Sequence, residues 1–217
     1  MELYHVMSRG VEKRKIVMDD RDRARFVHDL FVMNDSQLVR HISQPGRNTS
    51  DFSGSRRLLV HIHAFCLMDN HYHLLLSDVV ESGIPKFIQK LNMGYTKYFN
   101  ERHNRSGALW QGKHKKVHIT EEKHFLYIPY YIHLNALDST ASEWREGRVR
   151  NSVRALKDLR NYRWSSHLDY LGKKNFPSIT YRNFIAESLG SASEYEREIV
   201  RLIKDGSHTS ESAAFEY

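Results

Sequence analysis

The chain has 217 residues, and its 33 lysines and arginines outnumber 26 aspartates and glutamates to give a formal net charge of +7. This length supports one sizeable core with appendages, and the basic balance favours a polyanionic partner. No stretch approaches the roughly 18 consecutive apolar residues of a membrane span, and the N-terminus lacks the pattern of a secretory signal. The single cysteine, Cys66, excludes an internal disulfide and is typical of a reducing cytoplasm.

The first half of the chain contains three predicted strands and one helix. Side chains alternate over residues 2–9, which predicts a first strand ended by Gly10. An amphipathic helix is predicted from Asp19 to about residue 33. A stretch rich in Ser, Gly, Asn and Arg predicts a mobile surface loop over residues 41–57. Two apolar strands, 58–68 and 71–76, are joined by a tight turn and therefore form an antiparallel hairpin.

The next predicted elements are two helices with a short strand between them. Apolar residues recur at helical spacing from Ile84, and this helix is expected to end near Asn104. A basic connector leads to a short strand over residues 115–119. A further helix follows, with Thr120 as its N-cap residue and Pro129 inside it.

Beyond residue 137 the chain becomes polar and charged. We expect a C-terminal extension over residues 138–205, with a small helix near 194–204, and a disordered tail over 206–217. The order β-α-β-β-α-β-α predicts one α+β domain over residues 1–137, in which helices cover an antiparallel sheet.

A pair of histidines, His71 and His73, is the first candidate for chemistry. Residues i and i+2 of a strand project from the same face, so both imidazoles can bind one metal ion. The alternative is that the pair is incidental. His61 and His63 on the preceding strand form a rival pair, or partners in a four-histidine cluster.

The second candidate is Tyr131 with Asn135, which lie at i and i+4 and therefore share one helix face. A tyrosine, with its ordinary pKa of about 10, becomes a useful nucleophile when a divalent cation polarises a phosphodiester. Asn135 offers a carbonyl oxygen as a third ligand, and two imidazoles with an amide oxygen suit Mn²⁺ or Mg²⁺. The alternative is that Tyr131 is an ordinary half-buried aromatic residue. Spacing alone does not distinguish it from the other tyrosines, Tyr95, Tyr98, Tyr127 and Tyr130.

A third feature is a basic segment with interleaved aromatic residues. Cations that follow phosphates and rings that stack on bases are typical of single-strand nucleic-acid binding. The alternative is a solvated helix face beside a stripe of core aromatic residues. The candidate DNA-binding residues of this segment are Lys97, Arg102, Arg105, Trp110, Lys113, Lys115 and Lys116.

These motifs together resemble a known family. Residues 64–76, Ala-Phe-Cys-Leu-Met-Asp-Asn-His-Tyr-His-Leu-Leu-Leu, resemble the His-hydrophobic-His strand of the IS200-like (Y1) tyrosine transposases. Residues 4–10 are similar to the opening strand of that family, and residues 95–112 to its second helix and the loop after it. Residues 131–135, Tyr-Ile-His-Leu-Asn, resemble its nucleophile helix. Trp164-Ser165-Ser166 is similar to the C-terminal motif of the REP-associated subgroup, so the resemblance runs from about residue 2 to residue 205. It implies an accessory, DNA-binding role for the extension over residues 138–205.

The resemblance implies the ferredoxin-like, RRM-like sheet of the HUH nucleases. His71 and His73 would hold a divalent metal, Mg²⁺ or Mn²⁺, with Asn135 completing the site and Tyr131 attacking the DNA. The products would be a 5′-phosphotyrosine link and a free 3′-OH, with no nucleotide cofactor, and rejoining is the reverse step. Arg9, on the opening strand, joins the predicted DNA-binding residues.

The predicted function is therefore a metal-dependent single-strand DNA endonuclease and strand transferase, a transposase acting on hairpin or palindromic DNA. We expect it in the cytoplasm at the nucleoid, without a membrane partner, as a monomer or a homodimer. Two positions depart from the family pattern, since Ala136 and Asp69 stand where many members have proline, and the loop at 41–57 looks longer than usual. Asp69 is either close to the metal or, as we expect, a surface acid of the turn.

Two other functions fit parts of the sequence. The basic and aromatic features suit a non-catalytic, hairpin-binding protein with a relict site equally well. A zinc hydrolase would instead use the four histidines at positions 61, 63, 71 and 73.

Overall fold

The computed structural model describes residues 1–36 and 56–205. Four strands form one sheet: β1 (Leu3–Arg9), β2 (Val60–Leu67), β3 (His71–Asp78) and β4 (Lys115–Ile119). Seven α-helices lie in this part of the chain: α1 (Asp20–Val32), α2 (Gly83–Arg102), α3 (Glu122–Leu134), α4 (Ser152–Asn161), α5 (His167–Tyr170), α6 (Asn183–Leu189) and α7 (Ala192–Asp205). Short 3₁₀-helices include Val11–Lys13, Asn135–Leu137 and Ser142–Glu146.

The sheet has the strand order β2-β3-β1-β4, and every neighbouring pair is antiparallel. Helix α1 connects β1 to β2, and α2 connects β3 to β4. This β-α-β-β-α-β arrangement is the ferredoxin-like one. The predicted α+β fold is therefore confirmed.

The sheet is buried on both faces, and each face has its own core. Helices α1 and α2 cover one face, where Phe26 and Phe87 pack against Phe65 and Leu74. Helix α3 covers the other face together with the C-terminal helices, in a core that includes Leu75. Side chains of β1 and β3 alternate between the two, so every second residue of these strands faces α3.

A β-bulge lies in β2, where the register with β3 shifts between Ile62 and Ala64. The extra residue is His63, and it reverses the alternation along the rest of the strand. Large residues before and after the bulge, such as Ile62 and Phe65, therefore share the α1/α2 face. The small side chains of Ala64 and Cys66 lie under α3.

The C-terminal extension packs on the rest of the chain rather than standing apart from it. The backbone of residues 164–166 runs beside β2, with Leu67 N donating to Trp164 O (3.0 Å) and Ser166 N donating to Phe65 O (3.0 Å). Residues of α4 and α7 share a core with α3. The extension thus covers the outer edge of the sheet at β2 and the outer side of α3.

The predicted strands and the helices at α1, α2, α3 and α7 are present, with bounds that differ from the predictions by a few residues. The N-cap residue of α3 is Glu121 and not Thr120, because Glu121 has the extended backbone (φ −94°, ψ 135°) that precedes the first turn. Helices α4, α5 and α6 were not predicted. Most of the predicted loop at 41–57, and the tail at 206–217, lie outside the described residues. Where the structure describes the chain, it contains no helix both long and apolar enough to cross a membrane.

Candidate active site

The two histidines of β3 lie side by side on the face of the sheet that α3 covers. Their ring centroids are 4.9 Å apart. Register pairs them with β1, His71 opposite Arg9 and His73 opposite Met7. Both are buried, with 7% of His71 and 2% of His73 exposed. The alternation predicted from the sequence therefore places both imidazoles toward one point.

Neighbouring side chains fix which nitrogen of each imidazole remains for a ligand. Nδ1 of His71 lies 2.6 Å from Oδ1 of Asn70, so it carries the proton and leaves a lone pair on Nε2. Nδ1 of His73 lies 2.8 Å from Nε2 of His5 on β1. Nε2 of His73 is buried and has no hydrogen-bond partner among the described residues. A buried nitrogen left in this way fits a metal ligand whose other nitrogen is held by a second residue.

Burial keeps these imidazoles neutral at neutral pH. It lowers the pKa of His71 to about 3, helped by the positive charges of Arg9 and Arg145. It also lowers the pKa of His5 to about 3 and the pKa of His73 well below its ordinary value. Neutral imidazole is the form that binds metal ions, so proton competition is weak here.

Helix α3 brings Tyr131 against the histidines of the same chain. The tyrosine ring is 5.8 Å from the ring of His73 and 5.8 Å from that of His5, edge-on to both. Tyr131 is 1% exposed. Tyr130 instead stacks on Tyr195 of α7, with centroids 5.2 Å apart. The structure thus brings Tyr131, and not its neighbour Tyr130, to the histidine pair.

Asn135 follows one turn after Tyr131, as the first residue of a 3₁₀-helix. Its Nδ2 donates to the backbone oxygen of Tyr131 at 2.7 Å, which fixes the orientation of the amide. The side chain is completely buried. Oδ1 therefore points away from α3, and it accepts a hydrogen bond of 2.5 Å from Nη2 of Arg145. A carbonyl oxygen held in this way is chemically suited to a hard divalent cation.

Arg145 is a residue of this site that the sequence did not reveal. It lies on the 3₁₀-helix Ser142–Glu146, and its Nη1 is 3.3 Å from the hydroxyl of Tyr131. Nη2 also donates to Asp138 at 2.8 Å. Burial lowers the pKa of Arg145, but the Asp138 carboxylate outweighs burial and keeps that pKa above its ordinary value. No motif marked this arginine, because its partners are seven or more residues away in an irregular segment.

The rival histidines of β2 do not join the site. Both nitrogens of His63 are engaged, Nε2 with Oγ of Ser77 (2.8 Å) and Nδ1 with the backbone oxygen of Tyr181 (3.1 Å). His61 stacks on the ring of Tyr181, with centroids 4.1 Å apart. Within residues 1–36 and 56–205 no three His, Cys, Asp or Glu residues are grouped to hold a metal ion. A zinc site of four histidines is therefore excluded there.

Asp69, at the turn before the histidine strand, is a surface ion-pair residue. Its carboxylate lies 2.6 Å from Arg23 and 3.6 Å from Lys15. These contacts direct it toward α1, and its half-exposed side chain agrees with a surface acid of the turn.

Part of the predicted basic surface lies on the same side of the sheet as the histidines. Lys115 of β4 is opposite Met7, so it shares the α3 face with Arg9. Arg9 is partly buried, and its Nε has no hydrogen-bond partner in the described part of the chain. Lys97 and Lys113 are exposed. Lys116 projects to the opposite face, where its Nζ lies 4.2 Å from the ring of Tyr4.

Three other residues of the predicted DNA-binding set also hold the fold together. Arg102 donates to Asp19 at 2.6 Å and to buried Asp22, which links α2 to the start of α1. Arg105 donates to the backbone oxygen of Ala108 at 3.1 Å. Trp110 is half-buried, and its Nε1 donates to the backbone oxygen of Asn92 at 3.1 Å. Any contact of these three side chains with DNA therefore competes with contacts inside the protein.

Comparison with known proteins gives three findings. Residues 54–135, less than half of the chain, match the family model described as "Transposase IS200 like". None of the curated proteins matches the chain. Among solved structures, one described as a REP-associated tyrosine transposase bound to a REP hairpin has a TM-score of 0.46 and 11% identity, and covers 82% of this chain and 84% of that one. The segment that contains the two histidines, Tyr131 and Asn135 therefore has the sequence pattern of the IS200-like transposases.

Proposed function

We propose that this protein is a metal-dependent single-strand DNA endonuclease and strand transferase of the REP-associated type, acting on hairpin or palindromic DNA. The observation that supports this most strongly is the position of Tyr131 at 5.8 Å from His73, ring to ring, within one chain. The family match over residues 54–135 supports the same reaction class.

In this proposal Nε2 of His71, Nε2 of His73 and Oδ1 of Asn135 would hold Mg²⁺ or Mn²⁺. A divalent cation bound there would polarise the scissile phosphodiester. The hydroxyl oxygen of Tyr131 attacks phosphorus, so a bond from phosphorus to the tyrosine oxygen forms and the bond to the 3′ oxygen breaks. Because the phosphotyrosine is itself a phosphodiester, the free 3′-OH can reverse the reaction without an energy source.

The DNA strand approaches along the positive residues of the α3 face. Arg9 of β1 and Lys115 of β4 lie on that face, both on the β1 side of the histidines. We propose that these two cations bind the phosphates next to the scissile bond, and that exposed Lys97 and Lys113 contact the strand or hairpin further away. Phosphate contacts of this kind make binding steeply dependent on salt.

The test is the formation of a covalent protein–DNA adduct on single-stranded palindromic DNA with Mn²⁺. The Tyr131→Phe variant should form no adduct and should still bind the hairpin, because only the attacking oxygen is lost. Tyr130→Phe is the matched control and should form adducts at the wild-type rate. Adducts formed by Tyr131→Phe would contradict the proposal.

A second candidate function is a non-catalytic hairpin-binding protein with a relict site. Its support is the burial of Tyr131, which is 1% exposed and contacted by Trp144 and Arg145. Such a protein binds the hairpin and leaves the strand intact under the same conditions. Nicking by the wild-type protein with Mn²⁺ or Mg²⁺ decides between the two.

A further inference from the structure

The guanidinium group of Arg145 contacts two side chains that the proposed reaction uses. These are Tyr131 of α3 and Asn135 of the turn that follows it. Nη1 lies 3.3 Å from the hydroxyl of Tyr131, and Nη2 lies 2.5 Å from Oδ1 of Asn135. One positive group therefore contacts both the proposed nucleophile and the proposed metal-binding oxygen.

An ion pair with the carboxylate of Asp138 holds the guanidinium of Arg145 in this position. Nε of Arg145 donates to Oδ1 of Asp138 at 3.1 Å, and Nη2 donates to Oδ2 at 2.8 Å. The same carboxylate accepts a bond of 2.8 Å from Nε1 of Trp144, which is completely buried. Only about a quarter of the Arg145 side chain is exposed. A guanidinium held by two hydrogen bonds to one carboxylate keeps its remaining N–H donors in a defined direction.

Two effects of opposite sign follow from a fixed positive charge at this point. It opposes a divalent cation at Asn135, since like charges repel strongly at short range where water is excluded. It favours negative charge on the oxygen of Tyr131, because a preorganised donor at a developing anion lowers the barrier. The residue therefore acts differently on metal binding and on strand cleavage.

We propose that Arg145 is a positioning residue that aligns and stabilises the attacking oxygen of Tyr131 at the expense of metal affinity. This inference rests on the proposed function and adds a residue to it. As the tyrosine oxygen bonds to phosphorus its proton passes to solvent, and the departing 3′ oxygen takes a proton. The guanidinium remains protonated throughout and stabilises the phenolate.

The experiment compares Arg145→Met with the control Arg150→Met, which removes an exposed arginine of the same segment. Mn²⁺ affinity is measured by electron paramagnetic resonance without DNA, and adduct formation is timed at saturating Mn²⁺. Arg145→Met should bind Mn²⁺ about tenfold more tightly, because a like charge is removed. Its adduct formation should be about 100-fold slower. Arg150→Met should match the wild type in both.

A second variant, Arg145→Lys, keeps the positive charge and an ion pair to Asp138. It loses the planar guanidinium that donates to several partners in fixed directions. It should bind Mn²⁺ as the wild type does and form adducts about tenfold more slowly. A purely structural role would instead lower Mn²⁺ affinity and adduct rate together in both variants. That outcome, or an unchanged adduct rate in Arg145→Lys, would overturn the inference. Failure of the proposed function is separate, since the wild type itself would then form no adduct.

Discussion

At the scale of single residues, the proposed metal binding by His71 and His73 depends on the hydrogen bonds that orient their ring nitrogens. The sequence predicted the shared face of His71 and His73 because alternation along a strand is a local property. It singled out no partner for either ring. Asn70 is adjacent in sequence to its partner, whereas His5 reaches His73 only because β1 pairs with β3. Such a contact depends on the register of two distant segments, which one sequence does not specify.

The Asn70→Ala variant should weaken Mn²⁺ binding by about 10–100-fold. The reason is that Oδ1 of Asn70 holds the proton of His71 on Nδ1 and so keeps Nε2 free for a ligand. Calorimetric titration with Mn²⁺ measures the effect. Asp69→Asn, at the neighbouring position of the turn, should leave the affinity unchanged because Asp69 pairs with Arg23. Equal weakening in both variants would show that the turn, and not the hydrogen bond, matters.

Buried neutral histidines away from the site should make the protein less stable in mild acid. Burial lowers the pKa of His167 to about 3 and that of His63 to about 4. The unfolded chain, with ordinary histidine pKa values near 6.5, then binds more protons than the folded one between about pH 4 and pH 6.5. The contribution of these histidines to the free energy of unfolding is therefore present in full above about pH 6.5. It decreases as the pH falls through that window.

The measurement is urea unfolding in the presence of a chelator at pH 7 and pH 5, where the unfolding free energy should be lower at pH 5. Each such histidine contributes at most about 1.4 kcal/mol per pH unit. His63→Gln should reduce the slope, while His118→Gln, which replaces an exposed residue, should not. A flat or rising stability from pH 7 to pH 5 would contradict this account.

At the scale of elements, Ser166 joins helix α3, which carries the proposed nucleophile, to the sheet. Its Oγ accepts from the backbone N–H of Phe65 on β2 at 2.9 Å and lies 2.7 Å from Nε2 of His133 on α3. Nδ1 of His133 lies 2.8 Å from the hydroxyl of Tyr195 on α7. The sequence marked the Trp-Ser-Ser segment as a motif. It did not reveal what the motif contacts, because Ser166 and Phe65 are 101 residues apart.

Ser166→Ala should destabilise the protein by about 1–3 kcal/mol, because it leaves a buried N–H and a buried imidazole nitrogen without this partner. Ser165→Ala is the matched control. Oγ of Ser165 accepts a longer bond of 3.3 Å from His167 N, so its loss should cost less. Urea unfolding at pH 7 measures both. Equal decreases in the free energy of unfolding would show that the lost side-chain volume, rather than the hydrogen bonds of Ser166, determines the destabilisation.

At the scale of the whole molecule, the proposed active site is assembled from one chain. Helix α3 packs on its own sheet, and the 3₁₀-helix with Arg145 follows in the same chain. Periodicity predicted the strands and the long helices because it repeats over many residues. It did not predict α4, α6 or the position of Arg145, since these segments are short and become ordered through contacts with distant elements.

Mixing two inactive variants should therefore restore no activity. Tyr131→Phe lacks the proposed attacking oxygen and His73→Gln lacks a proposed ligand. An active site shared between two chains would recover adduct formation from the pair. We expect no adduct from the mixture, and a wild-type rate per protein that does not change with protein concentration. Adducts in the mixture would indicate that the tyrosine helix acts on a second chain.

The bulge in β2 also affects how this chain is aligned with its relatives. Because His63 is an additional residue, Cys66 and not its neighbour lies opposite His73. A relative with a regular strand at this position has one residue fewer between the loop and the hairpin turn. Its alignment to this chain needs a single-residue gap at position 63, or every upstream strand position is assigned to the wrong face. A difference of one residue in the length of this strand is thus compatible with the same arrangement of side chains on the two faces of the sheet.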